Sequence, residues 1–171
     1  MFKDINIIWK NVYREKLKNV QEGRIVTFNF KVLNNILATP HKLWRWKICD
    51  TNICHLCFSE GNLEHMMIKC PYFSEYYEYV KSVLKRLGYE NVKLDMYSLV
   101  CGHKPNVTEY KLLNLILNIV FFNVYKCWVK IKINRVYLNP IEMLKKECRL
   151  RKITTLYSNL VFIAFVNILE A

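Results

Sequence analysis

Four metal-ligand side chains stand within 17 residues of this chain, Cys54, Cys57, His65 and Cys70, spaced Cys-x2-Cys-x7-His-x4-Cys. Two cysteines separated by two residues can turn both sulfurs onto one ion. The next seven residues let the chain return, and a histidine and a third cysteine complete a tetrahedron of three sulfurs and one nitrogen, the donor set of structural zinc. Zinc is preferred over copper or iron because a mixed thiolate and imidazole tetrahedron suits it. Four protein ligands leave no position for an activated water, so the expected Zn2+ is a single structural ion. The opposing reading is ordinary buried cysteines with a surface histidine. His55 is an alternative ligand, strained by its place between two ligand positions. Cys49, Cys101, Cys127 and Cys148 lie outside the cluster and read as small core residues; His41 and His103 read as plain surface or loop histidines.

An odd count of seven cysteines and an N-terminus (MFKDINIIWKNVYREK) without a secretory pattern point to a reducing compartment, nucleus or cytoplasm. Four glycines and four prolines among 171 residues favour long helices over a turn-rich β fold. The fold expectation is therefore a mainly α, helical domain with an embedded CCHC zinc knuckle and few or no strands. Residues 1–90 would form the knuckle domain, and 91–171 C-terminal helices packed against it. Two apolar runs, Leu112 to Tyr125 and Leu156 to Leu169, fall short of the roughly 20 residues that span a bilayer and read as buried helices.

Along the chain, Asp4 is a candidate cap for a helix to Val20 with apolar face Trp9, Tyr13, Leu17 and Val20. Gly23 marks a break, and a second helix runs from Ile25 to Leu37. A third, short helix opens at Pro40. Residues 49–61 read as a knuckle, Asn62 to Lys69 as a short helix, and Pro71 to Leu87 as a helix stopped by Gly88. A short helix from Tyr97 ends before Gly102, Thr108 caps a central helix from Glu109 to Arg135, and Pro140 opens the last helical section.

The net charge is +12, from 26 Lys plus Arg against 14 Asp plus Glu, a surplus that attracts polyanions. Plain solubility and an anionic membrane surface are the competing readings. Three sets of cations are candidates for nucleic acid. Lys126, Lys130, Lys145, Arg149 and Lys152 lie in a basic stretch with Trp128 and Tyr137 nearby. Lys42, Trp44, Arg45 and Lys47 interleave cations with rings, with Trp46 expected to face the core. Lys10, Arg14 and Lys18 form a stripe at four-residue spacing. Phosphates need cations, and single strands gain from aromatic stacking.

The run FNFKVLNNILATPHKLWRWKICDTNICHLCFSEGNLEHMMIKCPYF, within residues 28–79, resembles the zinc-binding region that follows the polymerase in non-LTR retrotransposon (LINE-type) reverse transcriptases. The matching positions are Leu33, Leu37, Thr39, Leu43, Trp46, Cys54, Cys57, Glu64, His65 and Cys70. Leu63 departs from the pattern, where a threonine is common, and this departure is expected to touch a helix cap and not the metal. A weaker likeness continues through Val100-Cys101-Gly102 and the apolar helix after it. The resemblance implies a role in holding template RNA or single-stranded or target DNA, with a polymerase domain as an expected partner. It implies no polymerase activity here, because the chain has only Asp4, Asp50 and Asp95 and no clustered pair for two-metal transfer. A zinc-stabilised protein-interaction module, docking on a polymerase or another acidic partner, is the alternative.

Overall fold

A computed structural model describes residues 7–18, 20, 22–104, 110–153 and 160–170, with the side chains of 152, 153, 160 and 161 outside that description. Among the described residues there are eight α-helices and no strand, a mainly α fold as expected. The order is α1 (Trp9–Tyr13), α2 (Gly23–Leu33), α3 (Pro40–Arg45), α4 (Ser74–Arg86), α5 (Met96–Cys101), α6 (Lys111–Asn134), α7 (Pro140–Ile153) and α8 (Leu160–Glu170). Two π-helical turns, Arg14–Lys18 and His65–Lys69, and a short 3-10 turn, Pro71–Phe73, complete the helical set.

The helix ends follow local chemistry. Thr39 caps α3, its Oγ1 accepting from the Lys42 amide at 3.2 Å, with Pro40 in the first turn where its missing N–H costs nothing. Asp95 and Ser98 form a reciprocal capping box at the start of α5. Gly88 and Gly102 hold φ of +86° and +82°, the left-handed region that glycine enters without a Cβ penalty. The proposed caps at Asp4 and Thr108 lie outside the described residues. Helix α2 begins at Gly23, two residues ahead of Ile25, and stops four residues before Leu37.

The central element is α6, whose Leu113, Ile116, Leu117, Val120, Phe121 and Val124 are fully buried. Helix α6 is long and apolar enough to cross a bilayer, but 72% of that apolar stretch is buried inside the molecule, as in a core helix. Buried side chains from Val12 to Leu169 belong to one core cluster, so both halves of the chain share it. Four tyrosines tie elements around this core by donating to carbonyl oxygens: Tyr72 to Leu138 at 2.7 Å, Tyr76 to Val120 at 2.9 Å, Tyr79 to Leu169 at 2.7 Å, and Tyr77 to Met67. Each buried hydroxyl thereby finds an acceptor, which avoids the cost of an unpaired polar group.

The first helix departs from expectation. Trp9 and Tyr13 are exposed, while Val12, Lys16 and Val20 are buried. Val12, Lys16 and Val20 recur every four residues, so the face that meets the core keeps the helical period but lies one residue away from the expected one; a π-helical turn, Arg14–Lys18, follows α1. Lys16 sits on that buried face, its Nζ donating to Asn118 Oδ1 at 2.8 Å and to the Ser98 carbonyl at 3.3 Å.

Candidate metal centre

The knuckle is built on a miniature antiparallel turn. Ile53 and Glu60 bridge, the Cys54 amide donates to the Ser59 carbonyl at 2.7 Å, and the Phe58 amide donates to Cys54 O at 2.9 Å. Phe58 takes a φ of +62°, which folds the strand back immediately after Cys57. The second half of the site comes from the π-helical turn. The Cys70 amide donates to the His65 carbonyl at 2.8 Å, a closure over five residues that joins the two ligands directly. In a regular α-helix five residues advance about 140° past one full turn, which would aim His65 and Cys70 apart. The π closure brings them to the same side.

The ligand atoms of Cys54, Cys57, His65 and Cys70 all lie within 4.8 Å of one another. Cys57 Sγ is 3.0 Å from His65 Nε2, Cys70 Sγ is 3.8 Å from Cys57 Sγ, and Cys54 Sγ is 4.0 Å from Cys70 Sγ. Metal–ligand bonds of about 2.3 Å to sulfur and 2.0 Å to nitrogen imply tetrahedral edges of roughly 3.5–3.8 Å. The sulfur edges match this closely and the nitrogen edge is a little short, so the four groups fit a metal ion. Cys54 and Cys70 are buried; Cys57 and His65, taken as whole residues, are half-buried.

The electrostatics suit a cation. The Cys70 thiol beside Cys54 pulls its pKa down to about 4, and the same contact together with burial pushes Cys70 up. One proton thus serves two crowded sulfurs, and a divalent ion would displace it. His55 is separate from the cluster. Its ring packs edge-on against Trp128 at 4.6 Å between centroids, and burial lowers its pKa.

The supports of the knuckle are equally local. The Asn62 side chain accepts from the His65 amide at 2.8 Å, so a cap exists at this turn although Leu63 breaks the family pattern. Gly61 is buried against the Pro40 ring, and a Cβ there would lie 2.4 Å from Pro40 Cγ. The Gly61 carbonyl accepts from the His41 amide at 3.1 Å, locking α3 to the knuckle. Gly61→Ala should therefore cost about 1–3 kcal/mol and weaken metal retention. Thermal melting together with a competitive chelator titration measures both, and an unchanged melting point would refute the contact.

The three basic sets fare differently. Lys10, Arg14 and Lys18 are exposed, Arg14 standing 3.8 Å from Glu15. Lys42 and Arg45 line a cleft of about 430 Å³ together with Trp9, which brings the second set beside α1. Trp44 and Trp46 are each 47% exposed, so the expectation that Trp46 enters the core is corrected. Lys47 is exposed, at a φ of +58°.

The third set is largely spent on internal ion pairs. Lys126 pairs with Glu147, Arg149 with Glu170 at 2.7 Å, and Lys145 lies 3.6 Å from Glu142. Lys126 is partly buried, and burial lowers its pKa to about 8. Arg151, 5% exposed, bridges Glu22 and Glu147 and ties the start of α2 to α7. Lys130 is exposed, while the side chain of Lys152 lies outside the description. Trp128 is buried, so only Tyr137 of the two nearby rings is open to solvent. Cys101, Cys127 and Cys148 are buried as expected, but Cys49 is only partly so, its Sγ 3.1 Å from the Thr51 carbonyl.

Two cations that the sequence did not single out, Lys132 and Arg135, line a second cleft of about 570 Å³ against His55 and Leu56 of the knuckle. The density of Lys and Arg in this stretch was visible; the left-handed φ of +53° at Arg135 was not. A chain with this centre matches no protein family, no curated protein and no solved structure.

Proposed function

We propose that this chain is a nucleic-acid-binding module clamped by one structural zinc ion, of the kind found at the C-terminal end of retroelement reverse transcriptases, holding RNA or DNA without catalysis. The observation that carries this reading is that two clefts lined by cations also take residues of the Cys3His segment into their walls. Lys42 and Arg45 share one cleft with Asn62, Leu63 and Glu64 of the knuckle; Lys132 and Arg135 share the other with His55 and Leu56. A metal at the cluster would fix both walls at once. The +12 charge supplies attraction to phosphates, and the run in residues 28–79 supports the retroelement kinship.

Zinc itself is favoured by the donor set. Three thiolates and one imidazole form a closed tetrahedron, so the ion's contribution is structural. Held by four side chains, it would neutralise the crowded sulfurs and pin the knuckle to the π-helical turn.

Binding to a short single strand should fall steeply with salt. With about four phosphate contacts, raising salt from about 50 to 200 mM costs on the order of fiftyfold in affinity. Fluorescence anisotropy with labelled oligo-uridine and oligo-thymidine measures this, and affinity indifferent to salt would refute the electrostatic reading. A second reading draws on Ile48, Ile53 and Phe58, which are 67%, 44% and 80% exposed around the knuckle. Such rings and branched chains suit a protein partner, the polymerase domain among them, and that reading gains if no nucleic acid binds.

A further inference from the structure

The cleft beside the knuckle tip has features that its neighbours lack. It is lined by His55 and Leu56 of the knuckle together with Tyr72, Lys132, Arg135 and Tyr137. Tyr137 is 75% exposed, on the segment between α6 and α7. Its ring meets Tyr72 edge-on at 5.7 Å between centroids, and Tyr72 is itself anchored to the Leu138 carbonyl. An aromatic ring is thus braced on one edge and open to solvent over most of its surface.

Charge favours the same place. Among the described residues, Lys132 and Arg135 meet no carboxylate within ion-pair distance and none lines their cleft, whereas Lys126, Lys145, Arg149 and Arg151 are paired. The cleft of Lys42 and Arg45, though these two are also unpaired, includes Glu64 in its wall. Lys132 instead lies over the buried Trp128 ring, 5.2 Å from its centroid. Arg135 caps α6 in the left-handed conformation. The last carbonyls of α6 carry roughly half a negative charge, which these cations outweigh. The local surplus of positive charge therefore sits within reach of a solvent-facing ring, the combination that single strands use, phosphate to cation and base to ring.

We propose that this cleft seats one unpaired nucleotide of a single strand, its base stacked on Tyr137 and its flanking phosphates on Lys132 and Arg135. The proposal rests on the nucleic-acid reading above and specifies where that reading is carried out. RNA and DNA present the same base face and phosphate here, so both are expected to bind. His55 and Leu56 sit between two ligands of the metal cluster, so the ion would hold one wall of the cleft.

The test uses the full, metal-loaded chain with labelled oligo-uridine and oligo-thymidine. Tyr137→Ala should weaken binding about tenfold. Lys132→Gln with Arg135→Gln should reduce the slope of log affinity against log salt by about 1.4, two single-strand contacts. Lys85→Gln with Arg86→Gln, exposed at the end of α4, should change affinity less than twofold. Ultraviolet crosslinking of the unmodified chain, mapped by mass spectrometry, should place the oligonucleotide on the peptide containing Tyr137, which keeps the test decisive even if a variant misfolds. If the unmodified chain binds no oligonucleotide, the underlying reading fails and this proposal with it. If it binds but the Tyr137 and Lys132/Arg135 variants match it, or the crosslink maps elsewhere, the proposal alone is overturned.

Discussion

Stripping the metal with a strong chelator, or replacing Cys54 with serine, should lower the melting temperature by about 10–20 °C. A structural zinc supplies on the order of 10 kcal/mol in small metal-dependent folds, comparable to the whole stability of an ordinary domain. Here the core of α6 does not depend on the ion, so only part of that energy is at stake. Loss of about 5 kcal/mol converts to the stated shift for a chain of this size. Cys54 is fully buried and Cys70 nearly so, so without a cation their crowded sulfurs must share protons inside the core. Elemental analysis should find one zinc per chain, and Cys148→Ser, outside the cluster, should keep it. A metal-free chain melting within about 2 °C of the loaded one would rule out a structural ion.

The second large effect concerns Lys16. It is 1% exposed, and burial pulls its pKa down to about 7 despite the nearby Glu15 and Cys101, which favour the charge. In the unfolded chain a lysine titrates near 10.4. Between these values the unfolded chain holds a proton that the folded chain has released, so stability rises with pH across the window. The full penalty, about 5 kcal/mol, is present below pH 7. About half of it is relieved between pH 6.5 and 9, which should raise the melting temperature by roughly 5–10 °C. Lys16→Met removes the titration, so its melting temperature should lack this component of the rise. Measuring the difference between the two chains cancels the pH response of the metal centre. If both show the same pH slope, Lys16 does not carry the effect.

These two groups also mark where the sequence was and was not legible. Cys54, Cys57, His65 and Cys70 could be read together because their chemistry is local and their spacing short. The same holds for Thr39-Pro40 at the start of α3 and for the glycines after α4 and α5. The buried face of α1 could not be read, because an apolar tally favours Trp9 and Tyr13 and rejects the lysine at position 16 that the core accepts through Asn118 and Ser98. The basic surface was misread for a third reason. Arg149 meets Glu170 and Arg151 meets Glu22, 21 and 129 residues away, so no window of sequence shows that these cations are already neutralised. Among the described residues of this stretch, Lys130, Lys132, Arg135 and Lys146 meet no carboxylate within ion-pair distance, and that emerges only by subtraction.

The π-helical turn between His65 and Cys70 carries a consequence for how this segment can change over time. Its hydrogen bond spans five residues, one more than a regular helix uses. Side chains within it can vary with little effect on where the two ligands point, but interval and winding must change together. Five residues wound as a regular helix would set His65 and Cys70 about 140° apart, whereas a deletion of one residue that restored the regular period would again leave them on one face. The segment behaves as a gear pair: tolerant of spelling, and tolerant of length only when the pitch follows.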